Sequence, residues 1–109
     1  MAKFMVLYLS PIPARYQMAN TTPEQMKAGM GAWIQWADKA GDAIVDLGSP
    51  LAAATRAGSG PAPTGEITGY SIMEAESAEA LSAILDGHPH LGLAGTSIEV
   101  LEMLSMPGR

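Results

Sequence analysis

Apolar and polar positions fall in blocks along this chain, and each block predicts an element. Phe4-Met5-Val6-Leu7-Tyr8-Leu9 is a short apolar run that stops at Ser10-Pro11-Ile12-Pro13, since two prolines in three residues interrupt a ladder. This is strand 1. A polar stretch, expected to be irregular, follows to Asn20. Thr22-Pro23-Glu24-Gln25 then marks a helix start: Thr22 caps, Pro23 suits the first turn, and Gln25 completes a capping box. Met26, Met30, Trp33, Ala37 and Ala40 recur on one helical stripe, and Gly41 stands where helices end, so a helix is predicted from Pro23 to Ala40. Trp33 lies on that stripe and is assigned to packing.

Ala43 to Leu47 predicts strand 2, closed by Gly48-Ser49-Pro50. Residues 52–65 lack periodicity and read as one loop, long against the usual connection of about 4–6 residues. Ile67 to Met73 is strand 3. Ser77 caps a second helix running to about Asp86, with Leu81, Ile84 and Leu85 inward, and Gly87 and Pro89 end it. Thr96 to Met103 is strand 4, and Pro107-Gly108-Arg109 is expected to fray. The order β-α-β-β-α-β is the split βαβ arrangement of ferredoxin-like α+β domains, with strand order 4-1-3-2 and both helices on one face.

The strands then pose a problem. Strand 1 is apolar on both sides, Phe4, Val6 and Tyr8 against Met5, Leu7 and Leu9, and strand 4 sets Ile98 and Val100 against Leu101 and Met103. A sheet covered on one side should alternate apolar with polar. A second subunit is therefore expected over the open face, since an apolar patch of that size is unusual on a monomer.

Composition narrows the chemistry. A chain of 109 residues suits a single domain over residues 1–109. Cysteine is absent, which removes disulfides, thiolate metal sites and a cysteine nucleophile. The net charge is −5, and Lys3, Arg15, Lys27, Lys39, Arg56 and Arg109 are scattered, so nucleic acid is not an expected partner. No apolar stretch approaches the ~20 residues of a membrane span, and Phe4 to Leu9 is too short for a signal core. A cytoplasmic protein is expected.

Three long connections, 10–21, 49–65 and 86–96, emerge at one end of the predicted sheet, whereas those near Gly41 and Ala75 are tight. A site is expected at the long-loop end. His88-Pro89-His90 lies there. These histidines serve small-molecule binding or proton transfer, or His88 closes the helix against its dipole while His90 packs in the loop. Two histidines without a third ligand point away from metal, and no cofactor is expected. His90, redirected by Pro89, is expected to face a ligand cleft, with His88 used up in closing the helix. Asp46 and Glu99 are candidate general acids or bases if desolvated in that cleft, and solvated edge residues otherwise. Tyr70, Ser49 and Ser10 are candidate ligand contacts, and Ser71 is a further polar strand residue. Gly58-Ser59-Gly60-Pro61 lacks the ending of a phosphate loop, Gly29 and Gly31 form no dinucleotide fingerprint, and no Gly-x-Ser-x-Gly elbow exists.

Over nearly its whole length the chain resembles the YCII-related family, grouped with DGPF-domain proteins. The resemblance rests on Lys3-Phe4-Met5-Val6-Leu7-Tyr8, on Trp33-Ile34-Gln35-Trp36 leading to Ala40-Gly41, and on Ile44 to Leu51 ending Gly48-Ser49-Pro50-Leu51. Gly69-Tyr70-Ser71-Ile72, Glu76-Ser77 and Gly95-Thr96-Ser97-Ile98-Glu99-Val100 complete it. It implies a ferredoxin-like fold that dimerises through its sheets into an α/β barrel, with a histidine–aspartate pair suggested as catalytic in some members. Met30 stands at the position of the helix-1 histidine, so that pair does not carry over, and the Asp-Gly-Pro-Phe segment is missing from the 52–65 loop. Two functions follow as expectations: a small-molecule-binding protein or enzyme with a cleft at the long-loop end, or a non-catalytic homodimeric accessory module.

Overall fold

The computed structural model describes residues 1–61 and 65–107. In chain order it contains β1 (Ala2–Ser10), α1 (Ala14–Ala19), α2 (Pro23–Ala40), β2 (Ile44–Asp46), β3 (Glu66–Ala75), α3 (Ala78–Leu85) and β4 (Ser97–Glu102). Short 3-10 turns occupy Gly41–Ala43 and Pro89–Gly92. The four strands form one antiparallel sheet in the order β2-β3-β1-β4, the expected order read from the other edge. This is the ferredoxin-like α+β arrangement.

Residue alternation sets the two faces. Phe4, Val6, Tyr8 and Ser10 point inward from β1, and register places Met73 beside Phe4 and Val100 beside Val6 on that side. Trp36 from α2 and Leu81 and Leu85 from α3 close over them. Burying a side chain the size of Phe4, Met73 or Leu81 stabilises by about 1.5–3 kcal/mol each, so this layer dominates the fold. On the other face Met5, Leu7, Leu9, Tyr70 and Ile72 are half-buried, and Leu101 is exposed.

α2 has the expected bounds, and its capping box is formed: Gln25 N–H donates to Thr22 Oγ1 at 3.1 Å, and Thr22 N–H donates to Gln25 Oε1 at 3.0 Å. Its stripe needs correcting. Met26 and Met30 are 46% and 59% exposed, and every residue from Pro23 to Gly31 is exposed. Only the C-terminal half of α2 crosses the sheet. There the buried aromatic is Trp36, whose Nε1–H donates to Ile84 O at 3.2 Å, while Trp33 is half-buried beside it.

Two further expectations fail locally. The segment before Asn20 is not irregular but forms α1, entered from Pro13 and closed where Asn20 Nδ2 donates to Tyr16 O at 2.8 Å. Gln17 reaches back to Ser10 Oγ at 3.1 Å and fixes α1 to the end of β1. β2 is shorter than expected, but Gly48-Ser49-Pro50 does not end the pairing. Beyond a register shift, Tyr70 N–H donates to Ser49 O, Leu51 N–H donates to Thr68 O, and Pro50 bridges Gly69. Gly48 makes this approach feasible: its φ is +81°, and a Cβ there would lie 1.7 Å from Tyr70 O. Among the described residues, no helix is long and apolar enough to cross a membrane.

Candidate functional site

The loop that follows α3 builds the most unusual part of the molecule. Gly87 turns with φ of +76°, and His88 N–H donates to Leu85 O at 3.0 Å, which closes the helix through backbone. The His88 side chain is therefore free for another task. Its Nδ1 accepts from His90 N–H at 3.0 Å and so starts the 3-10 turn, in which Pro89 supplies the fixed φ. Thr96 Oγ1 meets His90 O and Leu93 O at 2.8 and 2.7 Å and holds the end of the turn.

Both rings are thus driven inward against β1 and α2. His88 is 1% exposed and His90 8%. The His88 ring lies 4.2 Å from Trp36, 4.5 Å from Trp33 and 5.0 Å from Tyr8, centroid to centroid, and Tyr8 lies 5.3 Å from His90. Tyr8 and Trp33 meet edge to face at 5.0 Å. Five rings from β1, α2 and the post-α3 loop make one cluster, with His88 at its centre.

The bonding pattern settles where protons sit. His88 Nδ1 is an acceptor, so the neutral ring carries its proton on Nε2. Nε2 is buried and has no hydrogen-bond partner among the described residues. Aromatic rings are its neighbours, and they are weak acceptors. His90 is the opposite case: its Nε2 meets Leu9 O at 2.8 Å, and a carbonyl only accepts, so that nitrogen bears the proton. Ser71 Oγ donates to Leu47 O at 2.6 Å, and Tyr8 therefore donates its hydroxyl proton to Ser71 Oγ at 2.8 Å.

Burial pushes the His88 imidazole down to about 4, and the nearby His90 pushes in the same direction. Burial also pushes the Tyr8 phenol up, partly offset by the Ser71 bond. At neutral pH the centre of the cluster is uncharged: a neutral imidazole, a phenol and two indoles.

Other residues singled out from sequence lie elsewhere. Ser10 is buried one inward position beyond Tyr8, where its Oγ accepts from Ile12 N–H and Gln17 Nε2 at 3.1 Å each. Tyr70 and Glu99 flank Leu7 on the opposite face of the sheet. Asp46 is exposed, its Oδ1 accepting from Gly48 N–H at 2.9 Å within the turn, and Ser49 is exposed next to it. Asp46 and Glu99 sit on the two edge strands, roughly 14 Å apart at three strand spacings of about 4.8 Å. Neither joins the histidines, because alternation turns Glu99 to the other face and the Gly48 turn occupies Asp46.

The histidine roles also change. His90 does not face an open cleft, since packing against Tyr8 and the Leu9 carbonyl holds it. His88 does not meet the helix dipole as a cation, since burial keeps it neutral. Tyr8, Trp33 and Trp36 join the histidines in this cluster, although sequence singled out none of them as a site residue. Tyr8 has the signal in hindsight: it shares the inward side with Phe4 and Val6 yet carries a hydroxyl that must find a partner.

Two alternatives are weaker. A groove of about 250 Å³ between α3 and β4 is lined by Leu85, Leu91, Ile98 and Val100, with only Ser82 and Asp86 polar at its rim. It lacks converging polar groups. A metal site is the other: among the described residues, no group of three or more His, Asp or Glu side chains that could hold a metal ion occurs.

No family model matches the chain, and no curated protein matches it. Among solved structures it is similar to the 5-chloro-2-hydroxyhydroquinone dehydrochlorinase of Burkholderia phenoliruptrix AC1100, determined in complex with 2,5-dihydroxybenzoquinone. The identity is 22%, the match covers 89% of this chain and 90% of that one, and the TM-score is 0.48.

Proposed function

We propose that this chain is a YCII-like small-molecule-binding protein that works as a homodimer, with its ligand site at the His88–Tyr8–Trp33–Trp36 cluster. One observation carries the reading: His88 Nε2–H is buried at the centre of the cluster without a partner among the described residues. Leaving a buried donor unpaired costs about 1–3 kcal/mol, and a serine cap at residue 88 would accept from His90 N–H without placing that ring donor in the cluster. A group kept at such expense suits a ligand that satisfies it. Trp33 is the least buried of the five rings and marks the way in. The homodimer is supported by Met5, Leu7, Leu9, Tyr70, Ile72 and Leu101 on the sheet face away from α2 and α3.

Both tryptophans of the chain flank His88, so intrinsic emission reports on the site directly. The test is a titration with a panel of small planar and aliphatic compounds. Saturable emission changes that Trp33→Ala or His88→Asn weakens are expected. Flat emission with every compound would leave the second reading, a non-catalytic homodimeric module. That reading has its own support in the same apolar sheet face and in the tight packing around both histidines.

A further inference from the structure

The hydrogen-bond directions in the cluster restrict what it can recognise. His88 Nδ1 is committed to His90 N–H, so only Nε2 remains to meet a ligand, and it meets it as a donor. Tyr8 offers nothing further, because its proton goes to Ser71 and the Ser71 proton goes to Leu47 O. The remaining surfaces are ring faces and edges from Trp33, Trp36 and Tyr8, which favour a flat, apolar body. Among the described residues, no lysine or arginine belongs to the cluster. An anion brought there would lose its hydration with only one neutral donor in return, a cost that usually excludes an unpaired charge.

Resting on the binding role above, we infer that the site takes a neutral, planar carbonyl compound whose oxygen accepts the His88 Nε2–H while its conjugated body packs against Trp33. His88 is then a neutral donor and not a general base. A base at that nitrogen would need the other tautomer, which would set an N–H against the His90 amide. The low basicity of the buried ring agrees with this role. An aryl ketone and a hydrocarbon of the same shape should therefore differ by the one hydrogen bond, a ratio of roughly fivefold to tenfold in affinity. A carboxylate of similar size should be refused at neutral pH.

The experiment uses the intact protein with acetophenone, ethylbenzene and benzoate, read by tryptophan emission and by the ¹⁵N imidazole spectrum of His88. In the free protein the spectrum should show the Nε2–H tautomer. Acetophenone should bind roughly fivefold to tenfold more tightly than ethylbenzene and move the Nε2–H resonance, and benzoate should do neither. His88→Asn should bring acetophenone and ethylbenzene close to parity. Equal binding of acetophenone and ethylbenzene by the wild type would overturn the donor assignment and leave the binding role standing. A proton found on Nδ1 in the free protein, a reading that needs no variant, would overturn it too. If none of the three binds, the carbonyl specificity falls; if the wider panel also leaves emission flat, the binding role falls with it.

Discussion

Acid should destabilise this protein through a single buried ring, and the size of the effect follows from its position. His88 in the unfolded chain titrates near 6.5, whereas burial in the cluster pushes it down to about 4. Above pH 6.5 the ring is neutral in both states and contributes no pH dependence. Between about 6.5 and 4 the unfolded chain takes up a proton that the folded chain refuses, so stability falls as pH falls. Below about 4 both states are protonated and the loss is complete. The difference of about 2.5 pH units at 1.36 kcal/mol each amounts to about 3 kcal/mol. For a domain of this size that is a large share of a total of roughly 5–15 kcal/mol. Carboxylates also titrate near the lower end, so the measurement is a comparison. His88→Asn keeps an acceptor for His90 N–H but cannot be protonated. Urea unfolding of both proteins at pH 7, 6, 5 and 4.5, at one protein concentration, gives two stability curves. The wild type should lose up to about 1.4 kcal/mol per pH unit more than the variant in this window. Parallel curves would refute the argument, since they would mean that His88 is solvated or paired in the folded state.

Gly48→Ala should cost more than about 3 kcal/mol or prevent folding, because the Cβ would collide with the Tyr70 carbonyl at a positive φ; thermal unfolding measures it, and a loss below about 1 kcal/mol would show that β2 can swing clear. Trp36→Phe should destabilise by about 2 kcal/mol, through lost contact area and an unpaired Ile84 carbonyl, and urea unfolding should register it without a change in the bounds of α2. Sedimentation at micromolar concentration should return twice the chain mass of 11.3 kDa, and Leu101→Glu should return the monomer or unfold, whereas a wild-type monomer would refute the dimer.

The sheet was legible because strands announce themselves by apolar runs and prolines. Phe4 to Leu9 and Ile67 to Met73 lie inside the observed strands, and even the two-sided apolar character of β1 matches its register. α2 was legible to the residue because its capping box is local chemistry. What could not be read is whatever depends on how far an element extends over the sheet. Periodicity placed Met26 and Met30 in the core stripe, but a helix can keep its period past the edge of what it packs on. The ring cluster was half legible. His88-Pro89-His90 stood out as the only histidines, yet their burial depends on Tyr8, Trp33 and Trp36, which sit up to 82 residues away in the chain. Asp46 misses the histidines because the face of an edge-strand residue shifts with a register slip, and β2 has one, whereas Glu99 is turned to the other face by the unbroken alternation of β4.

The overhanging half of α2 has a consequence for how unfolding will look. From Pro23 to Gly31 the helix meets no core, and Gly29 and Gly31 each weaken it by about 1 kcal/mol relative to alanine. A free segment of that length is marginal in water. Its amides should exchange at rates set by fraying, while those around Trp36 wait for the whole domain to open. Far-UV ellipticity would then begin to fall at lower urea than tryptophan emission, because the first signal includes the overhang and the second comes only from the cluster. Two probes that disagree are ordinarily taken as the mark of a populated folding intermediate. Here the gap between them would measure a fraying rod attached to a core that still unfolds in one step.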